Sequence, residues 1–296
     1  MDINFEYFKI FYYVAKYKNI TKAAVALGSN QPNVTRIMKL LESQLNCKLF
    51  IREARGVSLT EEGEKLYHHV EIAYRHLLDA QEEISSPETA GAGTVEIGAT
   101  ESALHLFLLE AIGDFKVRCP KIRIKVHNHT TPEILKYLTE GKLDFAVITT
   151  PFEVPDSFRR EELFKFRELL AGGVQYSHLS GEKMAFNRLL DYPWVGLGSG
   201  TATYEFYKNF FAEHDIEMDF DMEVATSDLV IPLIRNNLGI GFIPEKLALP
   251  LLREKKLIQI ELDCKVPFRA IEIVSDRGKS MAADPFYNYL KSRKSD

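Results

Sequence analysis

Two sets of side chains in this sequence could do chemistry. The first lies on a short helical pattern in which Val34, Ile37, Met38 and Leu41 recur at i, i+3, i+4 and i+7, marking a buried stripe. The opposite face carries Asn33, Thr35, Arg36, Lys39 and Ser43, with no carboxylate before Glu42. Amides, hydroxyls and a guanidinium gathered on one face suit base edges and phosphates. Periodicity alone fits a helical hairpin with a solvated outer face just as well. The second set is hydroxyls at three strand-to-helix turns: Thr100 and Ser102, then Ser199, Thr201 and Thr203, then Thr226 and Ser227. A helix start offers free N–H groups and partial positive charge, so it accepts a carboxylate, sulfate or phosphate. Taken singly, each turn reads as an N-cap, where Ser and Thr are preferred anyway. Glu101, between Thr100 and Ser102, would repel an anion or pair with an ammonium group.

Catalytic signatures are absent. The sequence has no P-loop, GxGxxG, HExxH or GxSxG motif, and Gly196-Leu197-Gly198-Ser199-Gly200 lacks the lysine and spacing of a nucleotide loop. Cys47, Cys119 and Cys264 are far apart with no CxxC, which argues against a zinc site or a disulfide framework. The expectation is a binding protein with no metal and no cofactor, not an enzyme; the rival readings are a transferase-like enzyme and a solute-binding protein, since an α/β architecture hosts both.

These side chains need elements to position them. Thr21 is the expected N-cap of a helix carrying Ala23, Ala24 and Leu27, and Gly28-Ser29-Asn30 supplies a turn. Pro32 then opens the polar helix, where its missing N–H costs nothing. Phe8, Phe11, Val14 and Ala15 mark a helix behind this pair. Cys47–Arg52 and Arg55–Leu59 read as two strands of a wing. From Thr60 a long helix begins, with Leu66, Val70, Ala73, Leu77, Ala80 and Ile84 at alternating steps of four and three, a heptad seam that asks for a partner helix. A helix packed on its own domain is the plainer alternative. Ser85 to Gly93 is rich in small residues, Pro and Gly and marks a domain boundary. Beyond it strands and helices alternate to the end, which predicts an α/β region with mostly parallel sheets.

Charge divides the same way. The 296-residue chain has a formal net charge of −5, yet residues 1–59 hold nine Lys and Arg against four acids, a net +5, leaving −10 for the remainder. A basic module on an acidic body can bind phosphate without the body wrapping nucleic acid. No apolar run approaches the ~20 residues of a membrane span, and the N-terminus does not read as a signal peptide. A cytoplasmic protein with no membrane partner is expected.

Lys22-Ala23-Ala24, Leu27, Gln31-Pro32, Val34-Thr35, Leu41-Glu42, Leu45, Leu49-Phe50, Arg52, Leu59-Thr60 and Gly63 carry a resemblance to the LysR-type transcriptional regulators over roughly the first 65 positions. Thr35 stands where that family usually has Ser, and Asn46 where it usually has Gly; both departures are mild. The resemblance implies a winged helix-turn-helix over 1–59, a dimerising linker helix and hinge over 60–89, and an effector-binding domain over 90–296. That domain would be two Rossmann-like lobes of the periplasmic-binding-protein type II kind, lobe I about 90–161 and 268–296 and lobe II about 162–267, with the chain crossing near Thr150–Phe164 and Leu262–Phe268. Asn237 to Pro244 is its best local landmark.

Carried onto this sequence, the resemblance implies that Thr21, Gln31, Pro32, Asn33, Thr35, Arg36 and Lys39 meet double-stranded DNA. Arg52 and Arg55 would hold the backbone, and the heptad seam would pair two copies. Thr100, Glu101, Ser102, Thr149, Thr150, Ser199, Gly200, Thr201, Thr203, Thr226 and Ser227 would face one interlobe cleft holding a small anionic or zwitterionic effector. A homodimer or homotetramer and RNA polymerase complete the expected partners.

Overall fold

The computed structural model describes residues 3–53, 56–85, 93–276, 280 and 282–294, without the side chains of 75, 76, 79, 80 and 82–85. The chain forms two compact units, Met1–Ala90 and Gly91–Asp296.

In the first unit, α1 (Phe5–Tyr17) buries Ile10, Phe11, Val14 and Ala15. The second helix, α2 (Ile20–Ala26), starts at Asn19, whose side chain accepts from the Lys22 N–H at 3.0 Å. Thr21, the expected cap, is exposed inside the first turn. Asn caps at least as well as Thr, and starting at Asn19 brings Ile20 against the core. Gly28 takes a left-handed φ of 61°, and Asn30 then caps α3 (Gln31–Leu45) by accepting from the Asn33 N–H. Val34, Ile37, Met38 and Leu41 are all buried in the core that α1 and α2 share. Strands β1 (Phe50–Glu53) and β2 (Gly56–Leu59) pair antiparallel as the wing, Arg52 opposite Val57.

Thr60 Oγ1 accepts from the Gly63 N–H and donates to the Lys48 carbonyl, starting α4 (Glu61–Ser85) and tying it to the wing. The heptad seam is divided. Leu66 and Val70 pack into the unit's own core, whereas Ala73 and Leu77 are exposed; the side chains of Ala80 and Ile84 lie outside the described residues. The first half of the expected seam is therefore used within the unit, because its apolar positions face α1.

The second unit runs β3 (Gly93–Ala99), α5 (Glu101–Ala103), a π-helical turn Leu104–Leu108, α6 (Leu109–Arg118), β4 (Ile122–Asn128), α7 (Thr131–Thr139), β5 (Phe145–Thr149) and β6 (Arg159–Phe166). It continues through β7 (Glu168–Gly173), β8 (Lys183–Met184), β9 (Val195–Leu197), α8 (Ala202–Ala212), β10 (Met222–Val224), α9 (Val230–Arg235) and β11 (Ile240–Pro244). It ends with α10 (Glu245–Arg253), β12 (Leu257–Leu262), β13 (Arg269–Ser275) and α11 (Ala283–Ser292).

Two sheets organise these elements into lobes. One has the strand order β4-β3-β5-β13-β6 and the other β11-β7-β12-β8, with the β10-β9 pair joined to β11 by a Trp194–Ile240 bridge. Each lobe has its own apolar core, around Ile97, Phe145 and Phe286 in the first and Leu170, Trp194 and Phe211 in the second.

The chain leaves the first sheet at Arg167, since Phe166 still pairs with Arg269 while Glu168 already pairs with Pro244. The expected crossing at 150–164 is thus too early: residues 159–166 form an edge strand of the first sheet. The return lies between Leu262 and Arg269.

The expectation of mostly parallel sheets also needs correction. β7 runs antiparallel to β11 and β12, and β13 antiparallel to β5 and β6. A strand that has just crossed enters its sheet from the edge where the parallel strands end, so it must run against them. This topology collects the C-terminal ends of β3, β4 and β5 and the start of β13 along one edge, facing the second lobe.

Candidate functional site

A cleft of about 380 Å³ opens along that edge. The first lobe supplies Thr100, Glu101 and Ser102 after β3, Asn128 to Thr131 after β4, and Thr149 at the end of β5. The second supplies Thr201, Ala202 and Thr203 at the start of α8 and Ala225, Thr226 and Ser227 after β10. Hydroxyls dominate the walls. Thr201 caps α8, accepting from the Tyr204 N–H at 3.1 Å, so the N–H groups of Ala202 and Thr203 stand at the positive end of an eleven-residue helix. Thr100 Oγ1 is buried and has no hydrogen-bond partner among the described residues, a cost that a ligand polar atom would remove. Across the lobes, Ser102 Oγ lies 3.3 Å from Ser227 Oγ, and Lys246 Nζ donates at 2.8 Å to the Leu106 carbonyl in the π-helical turn.

Arg269, at the start of β13, forms the back of the site. Its side chain is 1% exposed, and the guanidinium faces Glu168, whose side chain is 5% exposed, at 3.2 Å. Nε donates to the Thr150 carbonyl at 2.8 Å, while Nη2 donates to Thr203 Oγ1 at 3.0 Å and Thr149 Oγ1 at 3.3 Å. Phe166 and Phe206 flank the guanidinium. Glu168 also accepts from the Tyr207 hydroxyl at 2.5 Å; burial first, and then the Glu168 charge, push that phenol well above its ordinary range, so it stays a donor. The network links both crossings of the chain, since Glu168 opens β7 and Arg269 opens β13. Because Thr149 and Thr203 both accept from a cation, each keeps its own hydroxyl proton to donate.

Of the residues singled out from the sequence, the cleft brings together Thr100, Glu101, Ser102, Thr149, Thr201, Thr203, Thr226 and Ser227. Three do not line it. Thr150 Oγ1 accepts from the Ala270 N–H, fixing the strand crossing. Ser199 and Gly200 are exposed in the turn ahead of α8, where Gly200 has φ 87°, a backbone need that explains the glycine. Sequence reasoning missed Asn128, His129, Thr130, Thr131 and Glu133, because the β4–α7 turn reads as a plain capping box. It also missed Glu168 and Arg269, single charges at strand starts whose only signal is a charge inside an apolar run.

On the first unit, the polar face of α3 is ordered by its own side chains. Gln31 Nε2 donates to Thr35 Oγ1, Thr35 Oγ1 donates to the Gln31 carbonyl, and Arg36 Nη2 donates to Asn33 Oδ1 at 3.1 Å. Thr35, Lys39 and Arg52 line one shallow cleft between α3 and the wing, whereas Thr21 sits on α2; Arg55 lies outside the described residues. Glu42 fixes the wing to α3. Its carboxylate accepts from the Leu49 and Phe50 N–H groups and from Lys48. Among the described residues, no helix is long and apolar enough to cross a membrane and no cluster of His, Cys, Asp or Glu could hold a metal.

Residues 5–64 match the family model of the bacterial regulatory helix-turn-helix protein of the lysR family, and residues 89–295 match the LysR substrate binding domain. The HTH-type transcriptional regulator YofA of Bacillus velezensis is 27% identical over 86% of this chain and 85% of its own length. Among solved structures, ArgP from Mycobacterium tuberculosis superposes with a TM-score of 0.75 at 18% identity, covering 99% of this chain and 98% of that one. Full-length CbnR in complex with its target DNA gives a TM-score of 0.64 at 16% identity, covering 98% and 100%.

Proposed function

This chain belongs to the LysR family of DNA-binding transcriptional regulators, and from that premise we propose that it senses a small anionic or zwitterionic effector in the interlobe cleft of its second unit. The observation that carries this reading is the hydroxyl-lined cleft, with Thr149 and Thr203 backed by the buried Arg269. On the first unit, Gln31, Asn33, Thr35, Arg36 and Lys39 read or position on the major groove and Arg52 holds the backbone. Effector binding changes the angle between lobes, and an oligomer, a homodimer or homotetramer joined in part through the exposed half of α4, transmits the change as altered half-site spacing or DNA bending. The protein acts in the cytoplasm, with RNA polymerase as the further partner.

A mobility-shift assay on the intergenic DNA upstream of the protein's own gene, with and without a panel of small acids and amino acids, tests this. The expected result is specific binding altered by one such compound. Specific binding that responds only to neutral or cationic compounds would overturn the effector class.

A further inference from the structure

The strand order gives the cleft a polarity along its length. Across the edge that forms its floor the strands run β4, β3, β5, β13. The β4 and β3 end carries two carboxylates: Glu133 on α7 and Glu101 after β3. The Thr130 hydroxyl and N–H hold Glu133 below the usual carboxylate range, so it is ionised. Glu101 accepts from Asn128 at 2.6 Å and lies 2.8 Å from His105 Nε2, which occupies one site on each of its oxygens and leaves acceptor capacity over. Among the described residues no Lys or Arg lines the cleft; the one basic side chain there is His129, whose Nδ1 lies 4.0 Å from Glu133. The β5 and β13 end presents no carboxylate: Arg269, itself paired with Glu168, donates to the Thr149 and Thr203 oxygens and leaves both hydroxyl protons for the ligand.

We propose that the cleft selects a zwitterion, its carboxylate received by Thr149 and Thr203 in front of Arg269 and its ammonium group by Glu101, with Glu133 beyond it. This deepens, and rests on, the effector reading of the same cleft. It disfavours dianions, whose second charge would meet two carboxylates, and diamines, whose second ammonium would meet no carboxylate at the Thr149 and Thr203 end. Ala99 pairs with Val147 and the Thr100 N–H donates to the Val147 carbonyl, so the turn that carries Glu101 at the start of α5 lies beside the end of β5 that carries Thr149. The two charges of the ligand are therefore held on neighbouring segments of one lobe, which suits a short amino acid.

The test is calorimetric titration of the full chain with 3-aminopropanoate, 4-aminobutanoate and 5-aminopentanoate, each against the dicarboxylate and the diamine of the same chain length. At one length the amino acid should bind at least tenfold more tightly than both competitors. Glu101→Gln should reduce that preference over the dicarboxylate at least tenfold, with Glu133→Gln as a second, exposed and isosteric variant acting in the same direction. Thr149→Val should weaken the amino acid and the dicarboxylate alike. A dicarboxylate or diamine that binds more tightly than the amino acid, yet loses affinity in Thr149→Val, overturns the zwitterion while leaving the cleft as the effector site. Binding that none of these substitutions alters overturns the cleft reading itself. No binding by any of the three classes overturns the zwitterion assignment.

Discussion

Replacing Arg269 with Met removes the guanidinium that both crossings share and leaves Glu168 buried without its counter-ion. Breaking a buried pair by deleting one partner costs about 3–5 kcal/mol, because the remaining charge is uncompensated. The Arg269 bonds to the Thr150 carbonyl and to Thr149 and Thr203 are lost as well, so the upper half of that range applies. For a unit of this size each kcal/mol moves the melting temperature by roughly 2–4 °C, so a drop on the order of 10–20 °C is expected. Arg269→Met/Glu168→Gln should recover about 2 kcal/mol, since the neutral amide needs no counter-ion and its carbonyl still accepts from Tyr207. Urea unfolding followed through Trp194, the one tryptophan and buried in the second lobe, measures both variants. A single variant that loses less than about 1 kcal/mol, or a double variant no more stable than the single, would refute the reasoning.

Three further outcomes follow from the first unit. Burial works against the Glu42 charge, but the bonds from Leu49, Lys48 and Phe50 outweigh it and hold the carboxyl below its usual range. Its stabilisation is therefore present above the ordinary carboxylate pKa and lost as pH falls through the lowered folded value. Glu42→Gln should cost about 1–2 kcal/mol in urea unfolding at neutral pH, with the two curves converging in acid; a constant gap would reject the linkage. Arg36→Ala should weaken specific operator binding by about 1–3 kcal/mol in a mobility shift, and unchanged affinity would put the recognition face elsewhere. Leu77→Asp, on the exposed half of α4, should raise the dimer dissociation constant at least ~10-fold in sedimentation, and an unaltered constant would remove α4 from the interface.

Local pattern carried much of this structure. The stripe from Val34 to Leu41, the wing and the hydroxyl turns can be read from the sequence because each depends on neighbours within a few residues. What stayed hidden depends on pairing across long separations. Whether residues 159–166 belong to one lobe or the other turns on a strand more than a hundred positions later, and nothing in Arg159–Phe166 itself says so. Arg269 and Glu168 look like unremarkable strand charges until the fold buries them together. Thr21 shows the local limit: Asn19 and Thr21 both suit a cap, and the decision fell to the packing of Ile20.

The position of β13 has a consequence for how the chain is made. It lies between β5 and β6, so β6 has no partner in its own sheet until residues 269–275 arrive. The whole second lobe, 168–262, is synthesised before then. On the ribosome that lobe can close while the first still presents β5 as an open edge, a template for pairing with another nascent chain. Premature termination before Ser292 therefore removes the final helix, and termination before Ser275 the inner strand as well, which disables the lobe whose synthesis began first.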